Sequence, residues 1–166
     1  MKSRKAQSAL EYITTYGWAV LVVLILGIAL WQLGIFQTSP ATSFSGFGAL
    51  KPQLSGTELK LSGSTANFTG MFINGFGDRV IVTDVNITEK YGGCATDITV
   101  NDNFIGPNGV VIGRGNFFVV KGTGIDTAAA SVGDIYELTV RFDYNILVGG
   151  TKTNHSVSGV IRGPYV

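Results

Sequence analysis

The hydrophobic residues of this chain are concentrated in one continuous run near the N-terminus. From Ile13 to Phe36 the sequence is almost entirely apolar, and no charged residue lies between Glu11 and Lys51. A helix over this run would be about 36 Å long, at ~1.5 Å per residue, which is enough to cross a hydrocarbon core of roughly 30 Å. Because the run is apolar on every face, the pattern predicts a helix that lies in lipid or among other helices.

The pattern changes after this run. Residues 37–48 are rich in Ser, Thr, Gly and Pro, which predicts a linker. From about residue 44 to residue 166, apolar and polar positions alternate in short segments, most clearly from Tyr136 to Leu147, and this is typical of half-buried strands. Further strands are predicted at Glu58–Leu61, Ala66–Ile73, Arg79–Thr88, Gly109–Ile112, Asn116–Lys121 and Thr153–Arg162.

These segments favour an all-β fold for the second part of the chain. Seven or eight antiparallel strands over ~120 residues indicate a sandwich of immunoglobulin-like plan. After Phe36 no helix longer than a turn or two is expected, and residues 127–132 are the one stretch with an ambiguous pattern. The predicted fold is therefore a long N-terminal hydrophobic helix followed by an antiparallel β-sandwich, an α+β layout overall.

The distribution of charge predicts an orientation in the membrane. Lys2, Arg4 and Lys5 precede the apolar run, so the N-terminus is expected on the cytoplasmic side and the β-domain outside. Charged residues make up only 14% of the chain and the net charge is +1, so no basic excess points to nucleic acid. The apolar run is longer than the roughly 7–15 residues of a secretory signal peptide, which favours a retained helix over a removed one.

One carboxylate stands where the apolar run begins. Glu11 follows a basic leader and several small residues. A carboxylate that enters an apolar medium is costly unless it is paired, and negative charge is favoured near a helix N-terminus. Glu11 could therefore pair with an amine and set the register between subunits, or it could remain among lipid headgroups without a partner.

The residues around Glu11 resemble a known processing signal. The stretch KAQSALEY, followed by TYGWAVLVV, is similar to the signal of archaeal type IV pilins, in the class whose mature chain begins with Gln and carries an acidic residue soon after. The resemblance covers about residues 4–36. The family commonly has Gly before the cleavage point, where this chain has the small residue Ala6.

The resemblance implies a function. A prepilin-type peptidase would remove leader residues 1–6 by cleaving between Ala6 and Gln7, and helix 7–36 would remain on the protein. The mature chains would polymerise through this helix into an extracellular filament that supports adhesion. Cleavage would also create an α-amino group close to Glu11. Archaellins are similar in plan, but the QSALEY stretch resembles pilins more.

Two glycines of the apolar run are candidates for helix packing. Gly27 and Gly34 are seven residues apart and therefore lie on one helical face. Glycines in this position allow close approach of neighbouring helices. Equally, the helix could simply tolerate these two glycines as flexible positions, without any role in packing.

Three acceptor sequences for N-glycosylation fit an outside location. They begin at Asn67, Asn86 and Asn154, in the stretches Asn-Phe-Thr, Asn-Ile-Thr and Asn-His-Ser. Motifs of this length also arise by chance.

Candidate catalytic and metal-binding residues are few. Cys94 and His155 are the only Cys and His, so neither an internal disulfide nor a Cys/His zinc site is expected. Asp97 and Asp102 lie in an acidic segment that could hold calcium, but the spacing does not match an EF-hand and a solvated loop is favoured. The glycine-containing stretches 113–115 and 122–124 are predicted to be turns.

The sequence leaves two alternatives to a pilus subunit. One is a membrane-anchored surface protein whose β-domain binds a glycan or a protein without polymerising. The other is an anchored secreted enzyme, for which a catalytic group would have to be found; no enzyme activity, cofactor or metal is expected.

Overall fold

A computed structural model describes residues 3–33, 41–91, 93–127, 130–148 and 151–166. The chain divides into two units, Met1–Ser39 and Pro40–Val166. Within these described residues, the first unit contains one helix and the second contains ten strands.

The helix α1 runs over Ser3–Gln32. It begins inside the predicted leader, four residues before Gln7, so the helix includes part of the leader. Within α1, Thr14–Gln32 is long and apolar enough to cross a membrane, with a mean hydropathy of 2.0 and no buried part. The predicted hydrophobic helix is confirmed over this span. Gly34 and Phe36, at the predicted end, lie outside the described residues.

The second unit is a sandwich of two five-stranded antiparallel sheets. The first sheet, sheet A, has the strand order β1-β10-β9-β4-β7, and sheet B has the order β2-β3-β8-β5-β6. The strands are β1 (Ser43–Ser45), β2 (Leu50–Ser62), β3 (Thr65–Asn74), β4 (Val80–Glu89), β5 (Asp97–Val100), β6 (Asn103–Phe104), β7 (Val110–Ile112), β8 (Phe117–Asp126), β9 (Ile135–Val148) and β10 (Thr151–Pro164). The helix followed by an antiparallel sandwich is thus confirmed, and every strand predicted from the sequence is present.

The core forms where the inner faces of the two sheets meet. In β9 the alternate residues from Tyr136 to Tyr144 are buried, as their period of two predicts. Phe142 from sheet A contacts Phe72 from sheet B at a ring-centroid distance of 4.9 Å, and Phe47 and Phe118 also pack on Phe72. These edge-to-face, stacked and tilted ring contacts add to the stabilisation that burial itself gives.

Part of the predicted linker belongs to the sandwich. Residues 43–45 form β1, which pairs with β10, and Phe47 is buried in the core. The linker was predicted from its small and polar residues, but Phe44 pairs opposite Ile161 in the register of β1 and β10. The structure of residues 34–40 is not described.

One predicted turn is wrong. Residues 122–124 lie within β8, and two residues of β8 there face one residue of β3 in a β-bulge. Gly124 has a φ of +71°, which supplies the left-handed conformation of the bulge. A Cβ on Gly122 would lie 2.7 Å from Ile87 Cδ1 and 3.1 Å from Ala95 Cβ, so a side chain here would require the end of Ile87 to shift.

Hydrogen bonds between segments distant in sequence hold the second unit together. Tyr165 pairs with Leu59 in a parallel bridge, and Val166 N–H donates to the Leu59 carbonyl at 3.0 Å. The buried Asn74 side chain donates to the carbonyls of Ile112 and Gly113 at 3.3 and 3.1 Å. These bonds join loops that are distant in sequence.

Candidate assembly helix and surface sites

The surface of α1 is apolar around its whole circumference. Val20, Leu21, Val22 and Val23 are successive residues, and each is exposed by 41–67%. Because successive helical residues are about 100° apart, four neighbours sample every face. Trp18 and Trp31, near the two ends of the span, are exposed by 65% and 72%. A helix with this surface is not stable in water and requires lipid or other apolar helices around it.

Glu11 lies on α1 just before the apolar span. Its side chain is exposed, and its carbonyl accepts a hydrogen bond from the Thr15 hydroxyl at 2.8 Å, one helical turn away. The rings of Tyr12 and Tyr16 lie next to it, 4.4 Å apart. The carboxylate is therefore available to a group outside the chain, next to an aromatic pair of the kind found at membrane interfaces.

The other sequence-predicted residues of the N-terminal unit are placed as follows. Ala6 and Gln7, on either side of the predicted cleavage point, lie within α1. Gly27 is exposed, and a Cβ at this position would meet no atom within 4 Å, so its surroundings in the single chain do not require glycine. Gly34 lies outside the described residues, so the face shared by the two glycines remains a prediction.

All three asparagines of the acceptor sequences are exposed on the sandwich. Asn67 is in β3 opposite Lys60, whereas Asn86 in β4 and Asn154 in β10 are both in sheet A. The Asn86 side-chain oxygen accepts a hydrogen bond from the Thr88 hydroxyl of the same acceptor sequence at 2.8 Å.

A polar cleft of about 500 Å³ lies beside Asn154. Arg141 contacts Asp143 through two nitrogens, each 3.2 Å from the same carboxylate oxygen. The Tyr144 and His155 rings stack with centroids 5.7 Å apart. The cleft is lined by Thr83, Arg141, Asp143, Tyr144, Asn145, Asn154, His155 and Ser156. Sequence reasoning missed this cleft because the β9–β10 register, Asn154 opposite Asn145, is what brings its two sides together.

The structure does not bring Cys94 and His155 together. Cys94 forms a bridge with Thr88, and Thr88 pairs with Thr139 on β9. His155 pairs with Tyr144 on the same strand, five residues further along, which is about 16 Å at ~3.3 Å per residue. A cysteine nucleophile with a histidine base is therefore not formed by these two residues.

The acidic segment considered for calcium is a hairpin turn. Asn101 and Asp102 have φ values of 51° and 62° and connect β5 to β6, which is the geometry of a type I′ turn. Asp102 forms an ion pair with Lys121, and the Asn101 side chain accepts from Val119 N–H at 2.9 Å. Among the described residues no group of three or more His, Cys, Asp or Glu side chains is placed to hold a metal ion.

The clearest electrostatic effect in the sandwich is on buried tyrosines. Burial raises the pKa of Tyr136 to about 12, with a smaller contribution from the charge of Glu58. Burial also raises the pKa of Tyr165, whose ring lies 5.5 Å from that of Tyr136. These groups belong to the core, so their shifted pKa values indicate packing and not a reaction.

Comparison with known proteins assigns neither a family nor a function to the chain. No protein-family model matches the chain, and no curated protein matches its sequence.

Proposed function

We propose that this chain is a structural subunit of an extracellular filament of the type IV pilus kind, which polymerises through α1. The observation that carries the proposal is the exposed apolar surface of Thr14–Gln32, of which no part is buried within the chain. In a precursor, lipid covers this surface. In a filament, identical helices cover it.

The energetics favour a tightly held bundle. Apolar burial contributes roughly 25 cal/mol per Å², and nearly every side chain of the span is available for it. A contact that relates one copy to the next by a rotation and a rise does not close on itself, and it therefore generates a helical filament. The sandwich would form the outer part of each subunit and carry the adhesive surface.

The proposed processing step prepares Glu11 for this assembly. Removal of residues 1–6 by a prepilin-type peptidase would expose the α-amino group of Gln7, about one helical turn from Glu11. Glu11 is exposed on α1, so its carboxylate could pair with the amine of a neighbouring subunit. This pairing would offset the cost of placing a carboxylate among apolar helices and would fix the register between subunits.

A second function is supported by one specific observation. The cleft beside Asn154 combines the Arg141–Asp143 ion pair with the polar side chains of Asn145 and Ser156, which is a surface that could bind a glycan or a protein partner. In this alternative, the protein stays in the membrane through α1 and never polymerises.

N-terminal sequencing of material sheared from the cell surface distinguishes these functions. The filament proposal predicts filaments whose subunits begin at Gln7. Recovery of the protein only in the membrane fraction, with its N-terminus at Met1, would contradict the filament proposal and support the anchored surface protein.

A further inference from the structure

We infer that Asn154 is the preferred glycan acceptor of this chain and that the first sugar of its glycan lies in the adjoining polar cleft. The inference depends on the outside location in the proposed function, because N-glycosylation takes place there. The sugar donor would be a lipid-linked sugar phosphate, used by a membrane-bound transferase.

The three acceptor sequences differ in how tightly the strands hold them. Asn67 belongs to β3, which pairs with β2 on one side and β8 on the other. Asn86 pairs with β9, and on the other side of β4 the neighbouring Ile87 carbonyl accepts from Ala95 N–H at 3.0 Å. Asn154 pairs with β9, whereas β1 covers β10 only at residues 160–162.

This difference determines which acceptor sequence a transferase can reach in the folded domain. A transferase must draw the acceptor backbone into its own active site. A segment bonded along one edge opens at a lower free energy than one bonded along both. The Asn86 side chain is also engaged by Thr88 of its own acceptor sequence. Both features favour Asn154.

The chemistry of the cleft suits a sugar ring. Sugars offer hydroxyl groups that both donate and accept hydrogen bonds. The Asp143 carboxylate accepts, the Arg141 guanidinium donates, and the Asn145 amide does both. Tyr144 and His155 also line the cleft, but Tyr144 is buried and stacks on His155, so the polar side chains supply the contacts to the sugar. Since Asn154 and Ser156 line the same cleft, an attached sugar starts within it.

The modification itself is a balanced group transfer. The Asn154 Nδ2 atom forms a bond to the anomeric carbon of the sugar. The bond between that carbon and the phosphate oxygen of the donor breaks, and the lipid phosphate leaves with the electron pair. The amide nitrogen loses one proton to the transferase.

Glycopeptide mass spectrometry of the protein from its native cell tests the choice of acceptor. We expect a glycan on Asn154, its loss in Asn154→Gln, and its retention in Ser156→Thr, which preserves the acceptor sequence. Asn67→Gln and Asn86→Gln should leave the Asn154 glycan unchanged. An unmodified Asn154, or occupancy at Asn67 or Asn86 equal to that at Asn154, would overturn the inference.

Thermal unfolding tests the position of the sugar. Asn145→Ala should lower the Tm of the glycosylated protein by about 3 °C, the effect of losing roughly one hydrogen bond, and should lower it less in the Asn154→Gln background. The matched control is Asn103→Ala, which should act equally in both backgrounds. Equal effects of Asn145→Ala in the two backgrounds would show that the attached sugar does not occupy the cleft.

A third measurement separates an attached sugar from a free one. Glycan released from the native protein is added to Asn154→Gln, and we expect no rise in Tm. A rise that Asn145→Ala abolishes would show that the cleft also binds the sugar when it is free, which supports the cleft as the sugar site. The Asn154→Gln variant is expected to form filaments normally. An unmodified Asn154 would therefore contradict the glycan inference and leave the proposed filament function intact. A protein that carries the Asn154 glycan but forms no filaments would contradict only the filament function.

Discussion

Glu11 is the residue on which the proposed assembly depends most. The sequence predicted its importance from its position at the start of the apolar run, and the structure places it exposed on α1. The structure of a single chain cannot contain its proposed partner, which would come from the processed terminus of another subunit.

Replacing Glu11 tests this role. We expect Glu11→Ala to leave membrane insertion intact and to lower filament yield about tenfold, since a charge-assisted hydrogen bond contributes about 1.5–3 kcal/mol. Filaments counted by electron microscopy provide the measurement, and the control is Glu58→Ala on the exposed part of β2. Normal filament yield from Glu11→Ala would remove the pairing role.

Asn74 shows what could not be read from the sequence. Asn-Gly pairs are common in turns, but this asparagine is fully buried, and its amide joins the loop after β3 to the loop after β7. Its Oδ1 also accepts from Phe76 N–H at 3.0 Å. The Ile112 and Gly113 carbonyls are 38 and 39 residues away in the chain, so the hydrogen bonds to them leave no local signal.

Asn74→Ala should therefore destabilise the sandwich strongly. We expect a loss of about 2–4 kcal/mol in the free energy of unfolding, because several buried backbone groups lose their partner. Urea denaturation of the outer domain measures it. Asn103→Ala is the matched control, since Asn103 is exposed and bonds only locally; an equal loss in both variants would contradict the role of Asn74.

Tyr136 predicts how stability depends on pH. Its pKa is about 12 in the fold against 10.0 for a free tyrosine, so the folded state favours the neutral ring. This contribution is complete below pH 10 and is lost as the pH rises through 12. Between pH 9 and pH 12, this group should lower the free energy of unfolding by about 2 kcal/mol. The free energy of unfolding of Tyr136→Phe should fall less steeply over the same range. An identical slope in the two proteins would contradict this role of Tyr136.

At the scale of elements, strands with a regular alternation were predictable, whereas three of the four shortest strands were not; the fourth, β7, was predicted within residues 109–112. β9 was found from its period of two, and β10 was found as one of the β-rich runs between turn residues. β1, β5 and β6 have two to four residues each, too few for a pattern to stand out. The start of β2 at Leu50 was not predicted, because Pro52 argues against a strand at this position. Proline is tolerated here because β2 is an edge strand of sheet B.

The attachment of β7 to β4 depends on Gly109. Its φ is +69°, and an added Cβ would lie 2.5 Å from the Val82 carbonyl oxygen on β4. Gly63 has a similar φ of +67° with nothing within 4 Å, so it is a matched control for the backbone effect alone.

Gly109→Ala should destabilise the domain more than Gly63→Ala does. Both variants carry the conformational penalty of about 1–2 kcal/mol, and Gly109→Ala adds an overpacking cost of about 1–3 kcal/mol. Thermal unfolding of the two variants measures the difference. Equal Tm values would show that β7 adjusts to the side chain without cost.

At the scale of the whole molecule, the sequence predicted two parts with opposite solvent requirements. The absence of charge between Glu11 and Lys51 was enough to identify the apolar helix, and the alternation after it was enough to identify the sandwich. How copies associate lies beyond a single chain, because the apolar surface of α1 is satisfied only by lipid or by other helices.

The central claim is that α1 leaves lipid only by packing among identical helices. The most direct test is electron microscopy of the purified mature chain, residues 7–166, after removal of detergent, with residues 40–166 as the control that lacks the apolar helix. The account predicts filaments from the mature chain and single particles from the control. A mature chain that stays monodisperse in detergent-free buffer would contradict it.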